Sequence, residues 1–544
     1  MAKVPPTFLH LNLTDHTFEV TSYEELIPEV GGMGWALALF EKFSETDGEA
    51  PIVFATGLLN SVFPGVSKTV AVFKSPQTGG LAVSMGGGSL AKFIRFSGYQ
   101  GLVITGSSPD PVFVSIDEEE VEFNPAGFMT GLEVPKAFER AFSAEGVPSR
   151  RSVVLTGPAA EAGIGFGSLY VDEFFSFPRF GLGTAFAQRN LKGLALAGSG
   201  REEIKNPRRY EEVFGNLIKR LKGHGELSQF GTLKNLSVVN KISAVPKNNL
   251  RELGTVDERV LAGAFSEAIA ARRVSCAGCP VGCIHLLRLG KGFTPYEYEG
   301  VVALGPLLGI ENPVEIGHLL KQAWAEGMDP TSLGAVLAHL TERENLKFGD
   351  FETYTTLVAA LVKGQESWAK EFRNGLPSDG TALSLGGTEF LPYFNGYASV
   401  LSQALGLGST TEENRGFILD LDFLGKEWGP EGMVAGLVEA EERKIISQLL
   451  VGCGYLSEVF EDPSIGFAGL DALESGFSHR ELKDAAREAL RRKLELQRRL
   501  GFEPADVKIP KKFFELSSPQ GKLDEGVMRQ ALQIYAKEIF ETSD

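Results

Sequence analysis

An α+β architecture is predicted, with a β-rich N-terminal domain followed by two mainly α-helical domains. Three observations predict it. Short apolar runs separated by glycine-rich turns fill the first 200 residues, the pattern of strands. After about residue 205 the apolar residues recur at helical spacing. A Gly/Pro/Ser-rich stretch over 374–410 then divides the helical part, as a boundary or a long active-site loop would. The expected divisions are 1–203, 204–385 and 386–544. At 544 residues the chain is too long for one core, which also calls for several domains.

Taken in order, Phe8, Leu9, Leu11 and Leu13 precede the polar turn Thr14-Asp15-His16, and Phe18 and Val20 follow it, which predicts a hairpin. Gly31-Gly32-Met33-Gly34 opens a helical pattern through Phe40. Leu37 stands where a dinucleotide-binding G-x-G-x-x-G loop needs its last glycine, so a strand-to-helix turn is the reading. Further strands are predicted at 52–59, 69–73, 101–105, 112–116 and 153–156. Between them Ser84-Met85-Gly86-Gly87-Gly88 lets the backbone approach a ligand closely; a tight turn is the plainer reading. Arg179 beside Gly181-Leu182-Gly183 could pair with a phosphate, or be a solvated surface charge. Thr255 and Glu258 have capping-box spacing and predict a helix to about Arg273. Helices are also expected over 314–346 and 351–373, and beyond the capping box at Ser478 and Glu481.

Composition excludes several functions. The formal net charge of −17 argues against nucleic-acid or anionic-membrane binding, which need basic surfaces. No run of about 18 apolar residues predicts a transmembrane helix, and no signal-peptide pattern opens the chain. Four cysteines in so long a chain do not make a disulfide scaffold, which points to the reducing cytoplasm.

Three of those cysteines lie in Cys276-Ala-Gly-Cys279-Pro-Val-Gly-Cys283, and the fourth is Cys453. Four thiolates suit a [4Fe–4S] cluster or a structural zinc. Zinc sites more often pair two C-x2-C knuckles, a pattern this spacing fits poorly. Gly278, Pro280 and Gly282 bend the loop so that its three sulfurs can converge.

Several segments, in order along nearly the whole chain, resemble the aldehyde:ferredoxin oxidoreductases, tungsten or molybdenum bis-pterin iron–sulfur enzymes. Phe54-Ala55-Thr56-Gly57 and Lys74-Ser75-Pro76-Gln77-Thr78-Gly79 resemble that family's "ATGP" and "KSPLTG". Phe96 to Gly101 resembles "FAGYDG", and Gly157 to Glu161 resembles "GPAGE". The segments Gly181-Leu182-Gly183 and Asn190-Leu191-Lys192 resemble "GGLGAVMGSKNLK". After the cysteine run, Pro295-Tyr296-Glu297-Tyr298-Glu299 through Leu304-Gly305, and Gly327-Met328-Asp329-Pro330-Thr331-Ser332, resemble "GPEYETLAALG" and "GLDTIS".

The resemblance implies a β base under two pterins, helical domains closing over it, and a [4Fe–4S] cluster on Cys276, Cys279, Cys283 and Cys453. It implies pterin contacts at Lys68, Ser84, Met85, Gly86, Gly87, Gly88, Arg179, Gly181, Leu182, Gly183 and Asp329. Glu297 or Glu299 would be the general base. The implied reaction oxidises an aldehyde to a carboxylic acid, or runs in reverse. Electrons would pass to a ferredoxin or an iron–sulfur subunit, with the chain in an oligomer or larger complex. Four departures are visible. Met85 stands where the family has a magnesium-binding Asn, and Met is no ligand for a hard cation. Lys68 replaces an Arg, a poorer fork for phosphate. Trp324, and Gln448 with Val451, interrupt the two D-x-x-G-L-(D/C) motifs. The family's active-site His has no counterpart, since no histidine lies between His339 and His479. These departures fit a second reading, a cofactor-poor derivative serving as a [4Fe–4S] electron-transfer or structural subunit. Arg491, Arg492, Arg498 and Arg499 could offer a partner a basic patch, or form a solvated helix face.

Overall fold

The computed structural model describes residues 3–46, 49–118, 120–143, 150–257, 270–406, 414–426 and 428–537. It has the predicted α+β class. Among the described residues, two six-stranded sheets hold every strand between Thr7 and Ala197. The first runs in the order Thr17–Ser22, Thr7–Asn12, Gly101–Thr105, Ile52–Ala55, Thr69–Lys74, Leu81–Gly86. Thr7–Asn12 pairs parallel with Gly101–Thr105, and the other neighbours are antiparallel. The second runs Phe175–Phe177, Leu169–Val171, Arg151–Thr156, Leu191–Ala197, Val112–Ile116, Val121–Pro125.

Alternation along the strands decides which face each residue covers. Ile52, Phe54, Ala71, Phe73, Leu102 and Ile104 share a core with Leu169, Val171, Leu194 and Leu196 of the second sheet. Val53, Ala55, Val70, Val72 and Val103 point the other way. They meet the helix Gly32–Thr46 and, beyond it, the long helices Pro430–Leu450 and His479–Arg499. The inner strands of the first sheet are therefore buried on both faces and read as nearly continuous apolar runs, while the edge strand Thr17–Ser22 is mostly exposed. Phe54 is fully buried, with its ring 5.5 Å from that of Phe177 and 5.9 Å from that of Phe186. Phe54→Ala is expected to cost about 3–5 kcal/mol, which urea denaturation would measure.

Downstream, the helices Tyr298–Ala303, Pro313–Glu326, Pro330–Arg343 and Phe351–Lys363 build a separate apolar cluster. The helix expected over 314–346 is two helices. Gly327, at φ +79, ends the first, and Asp329 caps the second by accepting from Ser332 N. The helix expected to run to Arg273 is corrected in part. Ala270–Val274 is a strand, because its backbone pairs with Ile284–Leu289. The rest of that segment, 258–269, lies outside the described residues. The capping box at Ser478 and Glu481 forms as expected, with both reciprocal hydrogen bonds present. Arg491, Arg492 and Arg499 of the following helix each pair with glutamates, so they offer little uncompensated positive charge. Among the described residues no helix is long and apolar enough to cross a membrane.

Candidate metal centre and adjoining cavity

Cys276, Cys279, Cys283 and Cys453 all border one cavity of about 120 Å³. The three-cysteine loop hangs between Ala270–Val274 and Ile284–Leu289. Gly278 at φ +74 and Gly282 at φ +67 take the left-handed backbone that favours glycine. The loop is tied to the segment 84–88, where the expected turn is confined to Gly87 and Gly88 because Ser84 to Gly86 complete the strand Leu81–Gly86. Ala277 N donates to Gly88 O at 3.0 Å, and Gly88 N–H points at Cys276 Sγ at 3.4 Å. Ser67 Oγ donates to Ala277 O at 2.6 Å.

Cys453 arrives just after the helix Pro430–Leu450, which ends at Val451 in a left-handed conformation. The other early glycine segment, Gly31 to Gly34, is the seat for this helix end. A Cβ built on Gly32 would lie 2.1 Å from the Gln448 carbonyl oxygen; one on Gly31 would lie 2.8 Å from that of Leu449. Gly57 meets the carbonyls of Leu449 and Leu450 in the same way. These glycines let the helix end come close enough to present Cys453 to the loop 170 positions upstream. Gly32→Ala, at φ +47 and without room, is expected to lower both the melting temperature and the iron retained per chain. Iron assay alongside a thermal melt would check it.

Burial pushes the thiols of Cys279, Cys283 and Cys453 up, that of Cys453 to about 12, and nearby sulfurs add to the rise. The Lys68 ammonium opposes it at all three. These three thiols and that of Cys276, with one cation and one backbone N–H beside them, fit a [4Fe–4S] cluster. Among the described residues no three histidine, cysteine or carboxylate side chains converge tightly enough to hold a single metal ion.

The cavity continues from the cysteines to Lys68, Met85, Gly87, Tyr170, Phe175, Glu297 and Trp324. Glu297 faces this space at the start of the helix Tyr298–Ala303. Removal from water pushes its carboxyl up to about 8, and the neighbouring charges of Glu299 and Asp329 add to the rise. Lys68 and Arg179 oppose it. Glu299 is buried and lies off the cavity wall. The two glutamates, adjacent in the sequence motif, thus have different surroundings, and only Glu297 can meet a molecule in the cavity.

Of the residues expected to hold pterins, Lys68, Met85 and Gly87 reach the cavity, and the others are engaged within the protein. Ser84 Oγ donates to Pro178 O at 2.9 Å. A Cβ on Gly86 would lie 2.6 Å from the Phe177 ring, and one on Gly88 2.8 Å from Val171. Gly181 and Gly183 pack against the carbonyls of Gly165 and Ser168, where a Cβ would lie at 1.8 and 2.2 Å. Leu182 is in the core between the sheets. Arg179 and Asp329 are buried against each other at 3.4 Å. The close approaches that these glycines permit are therefore made by the chain's own side chains and backbone. This arrangement does not fit two pterins and their phosphates. Phe175 and Phe177 carry much of the difference. As strand residues of ordinary apolar type, they gave no signal of the space they fill.

His285 is a structural histidine, buried and 3.1 Å from Ser228 O through Nε2. Trp324, in place of the first motif aspartate, packs its ring on Phe174 at 6.1 Å and donates from Nε1 to Glu173 O.

The arrangement defines a protein in which a cavity bordered by four thiols, a candidate metal site, lies between a two-sheet base and helices. Comparison with known proteins gives the family. The N-terminal domain model of aldehyde ferredoxin oxidoreductase matches residues 8–198, and the model of its domains 2 and 3 matches residues 211–541. The chain belongs to the aldehyde ferredoxin oxidoreductase family. It is 29% identical over 353 residues to the tungsten-containing aldehyde ferredoxin oxidoreductase of Pyrococcus abyssi, covering 61% of this chain and 57% of that protein. It is 25% identical over 358 residues to the WOR-like subunit of an aliphatic sulfonate oxidoreductase of Pyrococcus furiosus, covering 60% and 57%. The chain thus matches less than two thirds of the length of these curated relatives. The active site complex BamBC of benzoyl coenzyme A reductase shares the fold, with a TM-score of 0.77 at 17% identity over 98% of this chain and 94% of that one.

Proposed function

We propose that this protein is an oxidoreductase component whose working cofactor is a [4Fe–4S] cluster on Cys276, Cys279, Cys283 and Cys453, serving as the electron-transfer subunit of a larger complex. The observation that carries this reading is the pairing of two features. Four thiols from distant parts of the chain border one cavity, while the glycine segments beside it are packed on protein. A cluster there supplies one-electron exchange. The chain's own contribution is to hold the thiolates, offset their charge with Lys68, and keep a proton on Glu297 at the cavity wall. Membership of a complex is supported by relatives that are named as a subunit and as part of a complex. The partner is expected to be a ferredoxin or an iron–sulfur subunit, met in the cytoplasm.

The other reading is oxidation of an aldehyde to an acid, or the reverse, at a tungsten or molybdenum bis-pterin centre, as the tungsten-containing relatives suggest. Glu297 would then be the general base. The packing of Phe175, Phe177, Arg179 and Asp329 speaks against it. Metal analysis of protein purified without oxygen from its native host separates the two. About four irons per chain with neither heavy metal is the expected result. One tungsten or molybdenum per chain, with a pterin released on denaturation, would replace this reading with the aldehyde enzyme.

A further inference from the structure

Behind Glu297, two carboxylates that the sequence does not place together meet over one hydroxyl. Ser332 Oγ lies 2.6 Å from Asp329 Oδ2 and 2.6 Å from Glu389 Oε2. All three residues are buried, at 0%, 1% and 2% exposure. A serine hydroxyl has one hydrogen and can donate it to one acceptor at a time. The second short contact requires another hydrogen between the oxygens. Charge counting asks for the same. Arg179 is the cation at the pair, 3.4 Å from Asp329 Oδ2, and its other nitrogen donates to the Glu389 carbonyl. Two ionised carboxylates against one guanidinium would leave an uncompensated charge buried, which is strongly unfavourable.

We propose that Asp329, Ser332 and Glu389 hold one extra proton between them and act as a buried proton store for the cavity beside the cysteines. Transfer needs no movement of heavy atoms. The Glu389 carboxyl gives its proton to Ser332 Oγ as the hydrogen of Ser332 passes to Asp329 Oδ2, so one proton moves inward and one negative charge outward. At the inner end Asp329 stands between Met328, whose carbonyl accepts from the hydroxyl of the cavity-lining Tyr170 at 3.4 Å, and Pro330, which lines the same cavity as Glu297. Glu299, Lys68 and Arg179 are the other charges felt at Glu297. At the outer end Glu389 accepts from Leu376 N at 3.0 Å and from Gln77 Nε2 at 2.7 Å. Gln77 is part-exposed, and its neighbour Thr78 lines an open groove.

The store stands on this geometry; its service to a redox centre rests on the function proposed above. Infrared spectra of the full-length protein at neutral pH test the store itself, with or without iron bound. Glu389→Gln keeps the shape and removes one carboxyl. The wild-type-minus-E389Q difference is expected to show loss of one protonated-carboxyl band and no change in the carboxylate band. Loss of carboxylate absorbance alone overturns the proposal. Ser332→Ala is the second variant. It is expected to shift the protonated-carboxyl band, because a hydrogen-bond partner is gone, and an unmoved band likewise overturns the proposal. The redox role is read separately. In the iron-loaded protein the midpoint potential is expected to fall with pH towards about 59 mV per unit, the value for one proton per electron, and to lose that slope in E389Q. Equal slopes in the two proteins would overturn the coupling.

Discussion

Cys453→Ser, purified without oxygen, is expected to lose most of the iron and the brown absorbance of the wild-type protein. The expectation follows from how the fourth thiol reaches the site. The local loop supplies three sulfurs, and its shape is set by its own glycines. Cys453 comes from the end of a helix seated on Gly31, Gly32 and Gly57, so its position is fixed by the fold rather than by the loop. No other cysteine exists to replace it. Burial keeps the Cys453 thiol neutral up to about pH 12 until a metal displaces its proton. Loading the site therefore releases protons, and reconstitution of the wild-type protein should proceed further as pH rises. Retention of about four irons per chain in the serine variant, with unchanged electron paramagnetic resonance, would remove Cys453 from the ligand set.

Local signals in the sequence carried much of this. The hairpin at the N-terminus, the other first-sheet strands Ile52–Ala55, Thr69–Lys74 and Gly101–Thr105, and the capping box at Ser478 were legible because each depends on neighbours in the chain; the sheet's remaining strand, Leu81–Gly86, was hidden because its last three residues read as a glycine turn. The strand Ala270–Val274 was not, since its partner lies beyond the cysteine loop and the local capping pattern at Thr255 favours a helix. Glycine clusters were visible as close approaches, but what approaches them is set by tertiary packing. Gly31 to Gly34 receives a helix end, Gly86 a phenylalanine ring and Gly87 the cysteine loop. Likewise the motif offered Glu297 and Glu299 as equals. A helix turn sends one to the cavity and the other into the interior. Glu389 carried no sequence signal, because its importance comes from meeting Ser332 and Asp329 across about 60 positions of chain.

Glu297→Gln is expected to flatten the pH dependence of stability at the alkaline side. In the folded protein the Glu297 carboxyl titrates near 8, raised first by its removal from water and then by Glu299 and Asp329. In the unfolded chain a glutamate titrates near 4.3. Between those values the folded state holds a proton that the unfolded state has released, so stability falls as pH rises through the window. Below about pH 4 the two states are equally protonated and the effect vanishes. The variant cannot ionise at this position, and it keeps the size and one hydrogen-bond donor of the protonated acid. Its stability relative to wild type should thus grow between pH 5 and 8.5, by on the order of a few kcal/mol. Urea denaturation at matched iron content across that range would measure it. Parallel curves for the two proteins would mean that Glu297 ionises as an ordinary surface glutamate does, with water filling the cavity around it.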